Sequence, residues 1–474
     1  MKNFEHKDSR KSIFHTIYIF LGLLLMIMGY FTYFQIVKSK DVINSTYNKR
    51  QEVLSERIVR GEIQSFDREI LAKTVVDEAG NETREYPFAE VFANVVGRYS
   101  KGKSGLEETE NIRLLTSNIN SFEIMYSDLI GEKSPGDNII TTLDSKLQQV
   151  AYDALGNYKG AVVVMEPSTG RILAMVSKPS YDPNKIDEIW DELIADEEDD
   201  SPLINRATQG LYPPGSTFKV LTALEYMREN LLYQDYQYDC TGSIEYEGMV
   251  IHCYNNKAHK VVDLPLSLAK SCNTSFASIG KDLDLNKFYD LCERFMFNTS
   301  IPIALVNNPS KFTLQKGISG TKEAMQTAIG QGQTLITPLH NAMIAATVAN
   351  GGVMMKPYVV DHIEDAQGGM VKEYLPQVLT KPMTPSEASY LGEMMRLVVT
   401  DGTGSGLDNL KVEVAGKTGS ADHGKGKAHA WFIGYAPYDE PQIAVSVIVE
   451  SVGTGSEYAV PIAKKIIKEY LKDK

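Results

Sequence analysis

The longest apolar stretch of the chain lies near its N-terminus, where residues 13–37 read IFHTIYIFLGLLLMIMGYFTYFQIV. It contains no Asp, Glu, Lys or Arg, and no polar stripe recurs in it at helical spacing. A helix of that length rises roughly 37 Å, enough to cross a hydrocarbon core of about 30 Å with some tilt. A cleaved signal peptide fits less well, because the apolar region is long and no small-residue cleavage site follows. We therefore predict a transmembrane helix over residues 13–37.

The charged residues around this segment predict its orientation. The nearest basic residues are Lys2, Lys7, Arg10 and Lys11 before it and Lys38 and Lys40 after it. Because cytoplasmic flanks carry the excess of Lys and Arg, we expect residues 1–12 to form a cytoplasmic tail. The chain beyond the helix is then expected to lie outside the cell membrane, anchored by a single pass.

Two regions follow the apolar segment. Residues 38–137 mix short strand-like and helical patterns and end in the turn-rich stretch EKSPGDN, which predicts a small separate domain. Residues 138–474 form the predicted main domain. It opens with NIITTLDSKLQQVAYDAL, typical of a short strand and an amphipathic helix, and continues with GAVVVMEPSTGRILAMVSKPSYDPN, typical of a β-hairpin.

Later segments complete an α+β pattern. The acidic run at residues 187–200 is typical of a solvated loop or helix face, and helical spacing dominates from about residue 212 to about residue 350. Strand patterns return at residues 411–420, 430–436 and 442–450, and a final helix is expected over residues 460–471. Strands at both ends with helices between them predict an antiparallel sheet, closed by both ends of the domain, with a helical insert.

Composition narrows the function classes. Hydrophobic residues make up 43% of the 474-residue chain and charged residues 23%, which is typical of a globular protein. The net charge of −13 supplies no basic surplus to neutralise phosphates, so we expect no nucleic-acid partner.

One short stretch, LYPPGSTFKV, offers candidate chemistry. Pro213, Pro214 and Gly215 end the preceding segment, so Ser216 is expected at a helix N-terminus with Lys219 on the same face. Taken alone, the stretch allows two interpretations. Ser216 is either a helix cap beside an exposed lysine, or a nucleophile whose proton passes to a desolvated Lys219.

Two further motifs favour the nucleophile. AKSCNTSF supplies Ser271-Cys272-Asn273, and VAGKTGSADHG supplies Lys417-Thr418-Gly419. An S-x-x-K, S-x-N and K-T-G set in this order is the signature of serine β-lactamases and penicillin-binding proteins. Lys103-Ser104-Gly105 also fits the third motif, but it precedes the nucleophile and lies outside the predicted main domain.

With these motifs the chain resembles a class B penicillin-binding protein, a monofunctional D,D-transpeptidase. Most of residues 138–474 takes part in the likeness, including LINRATQGLYPPGSTFKV, AIGQGQTLITPLHNAMIAATVANGG and AWFIGYAPYD. The resemblance implies a transpeptidase domain with a serine β-lactamase-like fold, in which helices flank an antiparallel sheet beside a helical subdomain. It also implies that residues 38–137 form a pedestal, or dimerisation-like, domain.

The likeness is weaker in the pedestal. The family often reads R-G-x-I-x-D-R-x-G-x-x-L-A there, whereas this chain has RGEIQSFDREILA. Ser65 and Phe66 stand in place of Asp-Arg, and Arg68 replaces the glycine. The departure bears on contacts with partners rather than on catalysis.

The family chemistry assigns a role to each catalytic motif residue. Ser216 is expected to attack the penultimate D-alanine carbonyl of a peptidoglycan stem peptide, with Lys219 as general base. Ser271 is expected to relay a proton to the leaving amine together with Lys417, while Asn273 orients Lys219 and the substrate amide.

The third motif is expected to bind substrate. By the resemblance, Thr418 binds the substrate carboxylate and Gly419 lets the substrate backbone approach the strand. The backbone N–H groups of Ser216 and Ser420 are expected to form the oxyanion hole.

The resemblance also implies partners. An amine of a neighbouring stem on lipid II-derived glycan strands would complete the crosslink, and β-lactam antibiotics would acylate Ser216. No cofactor is implied for the chemistry. A separate glycosyltransferase would have to supply the strands, because only about 100 residues separate the anchor from the transpeptidase region.

The cysteines suggest a second site. Cys240, Cys253, His259 and Cys272 follow the spacing C-x12-C-x5-H-x12-C, and three thiolates with one imidazole suit a tetrahedral structural zinc ion. Some elongation-type members of the resembled family carry zinc between the first two motifs. A disulfide or free thiols remain open alternatives, and His252 is the nearest rival ligand.

Three further residues near the motifs are also candidates for a role in the site or the core. The helical spacing of YDLCERF predicts that Cys292 belongs to the core. Asp422 and His423 follow the third motif closely. They form either a plain loop or part of the cleft wall.

Two rival functions use the same motifs. A D,D-carboxypeptidase or β-lactamase would pass the acyl group to water. The predicted anchor and pedestal argue against both of these enzymes. A non-catalytic β-lactam-binding scaffold or sensor need not keep Lys219, Asn273 and Lys417 together, yet all three are present.

Overall fold

The computed structural model describes residues 7–38, 50–195, 200–315, 317–424 and 426–472. An N-terminal helix runs over Lys7–Tyr33 and continues as a π-helical turn, Phe34–Lys38. The span Ile13–Tyr33 has a mean hydropathy of 2.0 and none of it is buried within the protein. This helix fits the predicted single membrane anchor. Lys2 and Lys40, used above to predict its orientation, lie outside the described residues.

The region after the anchor is built on a six-stranded sheet. Its order is Met370–Glu373, Val360–Glu364, Asn138–Thr141, Ile63–Gln64, Ile70–Val76 and Glu82–Glu85. The α-helices of this region are Arg50–Arg57, Ala93–Val96, Gly105–Thr109, Asn111–Leu114 and Ser121–Ile130, with a 3₁₀ turn at Ala89–Val91. A short parallel pair, Ile58–Val59 with Ser134–Pro135, joins the two ends of the region. Strands on both sides of residue 137 share the larger sheet, so the pedestal and the main domain are structurally continuous there.

Arg68, which replaces the glycine of the family pattern, has an unusual backbone conformation. Its φ is +69°, in the left-handed region that favours glycine. Its guanidinium donates two hydrogen bonds to the Glu364 carboxylate, at 2.7 and 2.8 Å. Arg68 therefore joins the pedestal to a strand that the main domain contributes from far along the sequence.

A five-stranded antiparallel sheet forms the centre of the main domain. Its order is Ala415–Ala421, His429–Ala436, Ile443–Val449, Gly160–Met165 and Ile172–Lys178. Helices Ser145–Leu155 and Gly455–Tyr470 pack on one face, and helix Pro338–Ala349 packs on the other. Nearly every strand residue is buried, as expected for a sheet covered on both faces. The predicted α+β sheet, closed by both ends of the domain, is confirmed.

Helices fill most of the insert between the two halves of the sheet. The longer ones are Ile186–Ala195, Lys219–Glu229, Asn273–Asp282, Leu285–Arg294, Thr321–Ala328 and Pro385–Thr400, with shorter helices at Arg206–Gln209 and Leu264–Ala269. The prediction of helices over residues 212–350 was incomplete. Four short strands lie in the cysteine-rich part: Tyr238–Cys240, Ser243–Tyr246, Met249–His252 and Lys260–Val262. Two more strands, Met354–Met355 and Val378–Thr380, pair with each other beyond it.

Three other local predictions concern a hairpin, the acidic run and the last helix. The hairpin at Gly160–Met165 and Ile172–Lys178 is confirmed. Most of the acidic run is the exposed side of helix Ile186–Ala195, while residues 196–199 lie outside the described part. The last helix begins at Gly455 rather than at Val460, and Pro461 lies inside it.

Candidate active site

The segment that carries Ser216 is a tight turn pressed between a strand and a loop. Gly215 has φ +54°, and its N–H donates to the Gly330 carbonyl at 2.9 Å. A Cβ on Gly330 would overlap the Gly215 carbonyl oxygen, so glycine is required at this contact. Trp431 Nε1 donates to the Pro213 carbonyl at 3.0 Å and holds the start of the turn on the central sheet. Residues Gly215–Phe218 form a 3₁₀ turn that leads into helix Lys219–Glu229, which puts half-buried Ser216 at the predicted helix N-terminus.

Lys219 is fully buried, which rules out the interpretation of a helix cap beside an exposed lysine. Its Nζ lies 2.7 Å from Asn273 Oδ1 and 2.9 Å from the Ser271 carbonyl oxygen. Burial lowers the pKa of Lys219 to about 8. A neutral amine can donate to both of these oxygens and still offer its lone pair to a proton. Lys219 is therefore equipped to act as a base near neutral pH.

Ser271 lies between two lysines. Its hydroxyl is 3.0 Å from Lys417 Nζ and 3.4 Å from Lys219 Nζ. Its backbone is in the left-handed region, with φ +55°, a strained conformation of the kind found at functional sites. The conformation turns the serine between the two amines, where it can pass a proton from one to the other.

Lys417 is buried as completely as Lys219. Burial holds the pKa of Lys417 well below its usual value, and the charge of nearby Lys219 lowers it further. Because each charge disfavours the other, the pair favours states in which only one lysine is protonated. Such a pair can take up and release a proton within the site.

Asn273 links Lys219 to the hairpin formed by strands Ser243–Tyr246 and Met249–His252. Its Oδ1 accepts from Lys219 Nζ at 2.7 Å, and its Nδ2 donates to the His252 carbonyl at 2.8 Å. The hairpin strand Met249–His252 thus holds the amide that orients Lys219.

The third motif lies on the edge strand Ala415–Ala421, which pairs with only one neighbour in the central sheet. Thr418, Gly419 and Ser420 line the cleft in front of Ser216. A Cβ on Gly215 would lie 2.8 Å from the Ser420 carbonyl oxygen, so the Ser216 turn is packed directly against this strand.

Gly419 is packed closely against the turn that carries Ser216. A Cβ there would lie 3.1 Å from Thr217 Cγ2, 3.1 Å from Trp431 Cβ and 3.2 Å from the Pro214 carbonyl oxygen. Two of these atoms belong to the Ser216 turn and one to the neighbouring strand, so the missing side chain leaves room for the nucleophile turn. Gly419 also lines the cleft, and its expected role towards the substrate backbone stays a prediction.

Sequence reasoning missed Thr403. Its hydroxyl lies 2.5 Å from the Thr418 hydroxyl, and it lines the same cleft. Its N–H donates to the Ala269 carbonyl at 3.3 Å, close to the second motif. The only signal was the glycine-rich stretch TDGTGSG, which indicates a turn and no chemistry.

The cleft has a volume of about 770 Å³ and is lined mostly by polar residues. The catalytic side is formed by Ser216, Ser271, Asn273, Thr403, Thr418 and Ser420. Lys257, Lys270, Lys427, Asp401 and Asp422 add charges of both signs around the opening. This volume lies within the usual range of ligand-binding clefts.

The four predicted metal ligands lie together beside this cleft. Cys240, Cys253, His259 and Cys272 place their ligand atoms within 4.8 Å of one another. Two pairs of sulfur atoms, Cys240–Cys253 and Cys253–Cys272, are 3.7 Å apart, and Cys240 Sγ is 3.4 Å from His259 Nδ1. A disulfide needs a sulfur–sulfur distance of about 2.05 Å, so these cysteines are not disulfide-bonded and the disulfide alternative is wrong. A tetrahedral ion about 2.3 Å from each sulfur would set sulfur atoms about 3.8 Å apart, which these separations match.

The other candidate residues near the site lie in different surroundings. His252 is exposed and lies outside the cluster, so His259 is the histidine that joins it. Cys292 is buried in the core on helix Leu285–Arg294, as predicted. Asp422 lines the cleft, whereas the His423 ring stacks on His429 at 4.1 Å.

Comparison with protein families matches most of the described chain. The family model described as the penicillin binding protein transpeptidase domain matches residues 160–468, and that of the penicillin binding protein A dimerisation domain matches residues 60–139. Peptidoglycan D,D-transpeptidase PbpA of Mycolicibacterium smegmatis is 31% identical, covering 95% of this chain and 97% of the relative. Peptidoglycan D,D-transpeptidase MrdA of Acinetobacter baumannii is 29% identical, covering 82% and 66%.

Solved structures agree with this result. A ceftriaxone acyl-enzyme complex of penicillin-binding protein A from M. tuberculosis superposes with a TM-score of 0.81 at 32% identity, covering 88% of this chain and 99% of that one. The D,D-transpeptidase domain of a peptidoglycan glycosyltransferase from Eggerthella lenta gives 0.80 at 30% identity, with the same coverage. The chain therefore belongs to the penicillin-binding protein family and carries its transpeptidase domain over residues 160–468.

Proposed function

We propose that the chain is a serine D,D-transpeptidase that crosslinks peptidoglycan stem peptides through an acyl-enzyme on Ser216. One observation carries the proposal. Two fully buried lysines, Lys219 and Lys417, converge on the hydroxyl of Ser271 beside the cleft that Ser216 lines. Burying two amines costs free energy, and a site that moves protons explains why they are retained.

In the first step, Ser216 Oγ attacks the carbonyl carbon of the penultimate D-alanine. Lys219, whose pKa is lowered to about 8 by burial, takes the hydroxyl proton. Negative charge develops on the carbonyl oxygen, where the N–H groups of Ser216 and Ser420 are the proposed donors. The helix that follows Ser216 adds the favourable field of its N-terminus.

In the second half of this step, the C–N bond to the terminal D-alanine breaks. The leaving nitrogen takes a proton from the Ser271 hydroxyl, which is replenished from the lysines 3.0 and 3.4 Å away. The terminal D-alanine then departs. Thr418, supported by Thr403, is the proposed ligand of its carboxylate.

Transfer to the acceptor repeats these steps in reverse. An amine of a neighbouring stem attacks the acyl carbon and loses its proton along the same path. The new amide forms, and Ser216 regains its hydroxyl proton. All the proposed groups belong to the chain itself, so no cofactor is needed for the chemistry. β-Lactams are proposed to acylate Ser216 because they resemble the D-Ala-D-Ala terminus.

Mass spectrometry tests the nucleophile directly. Full-length protein treated with benzylpenicillin should gain one adduct that maps to Ser216, and a Ser216→Ala variant should gain none. An adduct on another residue would contradict the assignment. The acyl-enzyme should persist for minutes, because rapid hydrolysis would favour a β-lactamase or carboxypeptidase instead.

A glycan crosslinking assay separates the enzyme from a scaffold. Wild-type protein supplied with glycan strands from a separate glycosyltransferase should form crosslinked stem peptides, and Ser216→Ala should form none. We propose such a glycosyltransferase as partner. Crosslinking that survives in Ser216→Ala would show that the chain acts only as a scaffold.

The apolar helix and the basic residues before it support a further part of the proposal. The chain is proposed to cross the cell membrane once, with its N-terminus in the cytoplasm and the transpeptidase domain outside. A cysteine-reactive, membrane-impermeant reagent should label Leu231→Cys, a site 94% exposed, in intact cells. Labelling only after lysis would contradict this orientation.

We also propose that Cys240, Cys253, His259 and Cys272 bind a structural zinc ion. The spacing of their ligand atoms, given above, supports a tetrahedral donor set, and each cysteine is buried. Such an ion would brace the hairpin whose His252 carbonyl holds Asn273. Elemental analysis should find one zinc per chain in wild-type protein and in Cys292→Ala, the matched buried cysteine outside the cluster. A Cys272→Ala or His259→Ala variant that keeps a full equivalent would contradict the site.

A further inference from the structure

One helix of the pedestal presents its apolar side to solvent. Helix Ser121–Ile130 is closed by an Asn120 side-chain cap and by Gly131 in the left-handed conformation. None of its residues is buried in the protein. Phe122 is 75% exposed and Leu129 80% exposed, with Met125 and Tyr126 also more than half exposed.

The exposed residues form one continuous stripe. At about 100° per residue, Phe122, Met125, Tyr126, Leu129 and Ile130 span about 140° of the helix surface. The half-buried Ile124 and Ser127 face the opposite way, towards the protein. The less apolar face of the helix therefore contacts the protein, and the apolar stripe stays exposed to solvent.

The helix is attached to the part of the chain that leaves the membrane. The strand Ser134–Pro135, just after the helix, pairs with Ile58–Val59. Lys133 Nζ donates to the Ser55 carbonyl at 2.7 Å, on helix Arg50–Arg57. Only residues 39–49 separate that helix from the anchor, a reach of at most about 40 Å.

We propose that the stripe on helix Ser121–Ile130 lies in the interfacial layer of the bilayer that holds the anchor. The inference depends on the proposed membrane location, not on the transpeptidase activity. Phe and Tyr favour this layer, and Leu and Met gain from the adjoining acyl chains. Because the anchor keeps the helix near the surface, its effective concentration there is high and a short stripe suffices.

The charges beside the stripe argue against a second copy as the occupant. Glu123 flanks one side and Asp128 the other. Two such helices packed face to face, parallel or antiparallel, would bring carboxylates together on both flanks. The same charges give no attraction to anionic lipids, so the contact is expected to depend on apolar burial and to be insensitive to salt.

Fluorescence quenching in nanodiscs tests the contact on the full-length protein. The four native cysteines are buried, so a maleimide dye can select an introduced one. Met125→Cys carries the probe, and Leu231→Cys, 94% exposed in the main domain, is the matched control. Discs of zwitterionic lipid contain one protein copy and a nitroxide-labelled lipid.

We expect quenching at position 125 at least about twofold stronger than at position 231, unchanged at high salt. Adding Phe122→Ser and Leu129→Ser should reduce it to the control level without changing the melting temperature. Equal quenching at both positions overturns the proposal, as does a signal at position 125 that requires two copies in a disc. Acylation by a fluorescent penicillin, measured on the same samples, shows separately whether the proposed function holds.

Discussion

The Nζ atom of Lys219 lies 2.7 Å from Oδ1 of Asn273, whose own amide nitrogen is held by the His252 carbonyl. The proposed base is thereby joined through one side chain to the hairpin that carries Cys253. Helix Lys219–Glu229, strand Met249–His252 and helix Asn273–Asp282 together set the position of a single amine.

The rate of acylation should depend on the protonation of Lys219. Burial lowers its pKa to about 8, so the amine is mostly protonated below that pH and unable to accept the Ser216 proton. The second-order rate constant for a fluorescent penicillin should rise with pH up to about 8 and then level off. A flat profile across this range would contradict the assignment.

Lys219→Arg is the matched variant for this test. A guanidinium stays protonated throughout the range, so the base is lost while the positive charge remains. Acylation should fall by about 10² to 10⁴, and the rise with pH should disappear. If the variant keeps the wild-type profile, another group supplies the base.

Loss of the Thr403 hydroxyl should affect ligands that carry a carboxylate more than ligands that lack one. Its hydroxyl lies 2.5 Å from Thr418, so the two hydroxyls share one hydrogen bond and leave one proton for an anion. Thr403→Val should slow acylation by benzylpenicillin about tenfold and acylation by its methyl ester much less. Thr403→Ser should restore the rate. Equal losses with the acid and the ester would point to a structural role instead.

The sequence predicts the site better than its surroundings. The three motifs and the cysteine spacing name residues that the fold brings together, because each motif combines residue types whose chemistry is specific. The short strands around Cys240 and Cys253 were missed because they hold only three or four residues, too few for a two-residue alternation to stand out. Thr403 was missed for another reason. Its role depends on Thr418, and no local pattern encodes that contact.

The start of the last helix was missed for a similar reason. A helix was expected over residues 460–471, yet it spans Gly455–Tyr470. A Cβ on Gly455 would overlap the Trp431 carbonyl oxygen, so glycine allows the helix N-terminus to sit directly on the central sheet. Only the tertiary packing reveals that role, as it does for Gly419.

Removal of the proposed zinc should weaken both stability and acylation. Without the ion, the hairpin that carries His252 loses its brace, and Asn273 is no longer held in position to orient Lys219. A strong chelator should lower the melting temperature and slow acylation, and added zinc should reverse both effects. Cys292→Ala should respond in the same way as wild type. An unchanged acylation rate in metal-free protein would separate the cluster from the active site.

Arg68 allows a test of backbone strain in the pedestal. Arg68→Ala and Arg68→Gly both lose the hydrogen bonds to Glu364, but only alanine keeps a Cβ at φ +69°. Arg68→Gly should therefore have a free energy of unfolding about 1 kcal/mol higher than Arg68→Ala. Chemical denaturation of the two variants measures the difference. Equal stabilities would mean that the left-handed backbone imposes no cost at this position.

Gly330 and Gly332 form a matched pair for the turn that carries Ser216. Both have positive φ, +76° and +82°, so alanine imposes a similar backbone cost at each. Only at Gly330 would the new Cβ overlap the Gly215 carbonyl oxygen, since at Gly332 its nearest neighbour is 3.7 Å away. Gly332→Ala should lose about 1 kcal/mol of stability and keep most of its acylation rate. Gly330→Ala should displace Ser216 and lower acylation by 10² or more, because small misplacements of a reacting group cost about that factor. Thermal unfolding of both variants establishes that each is folded, and equal acylation rates would show that this contact does not position the nucleophile.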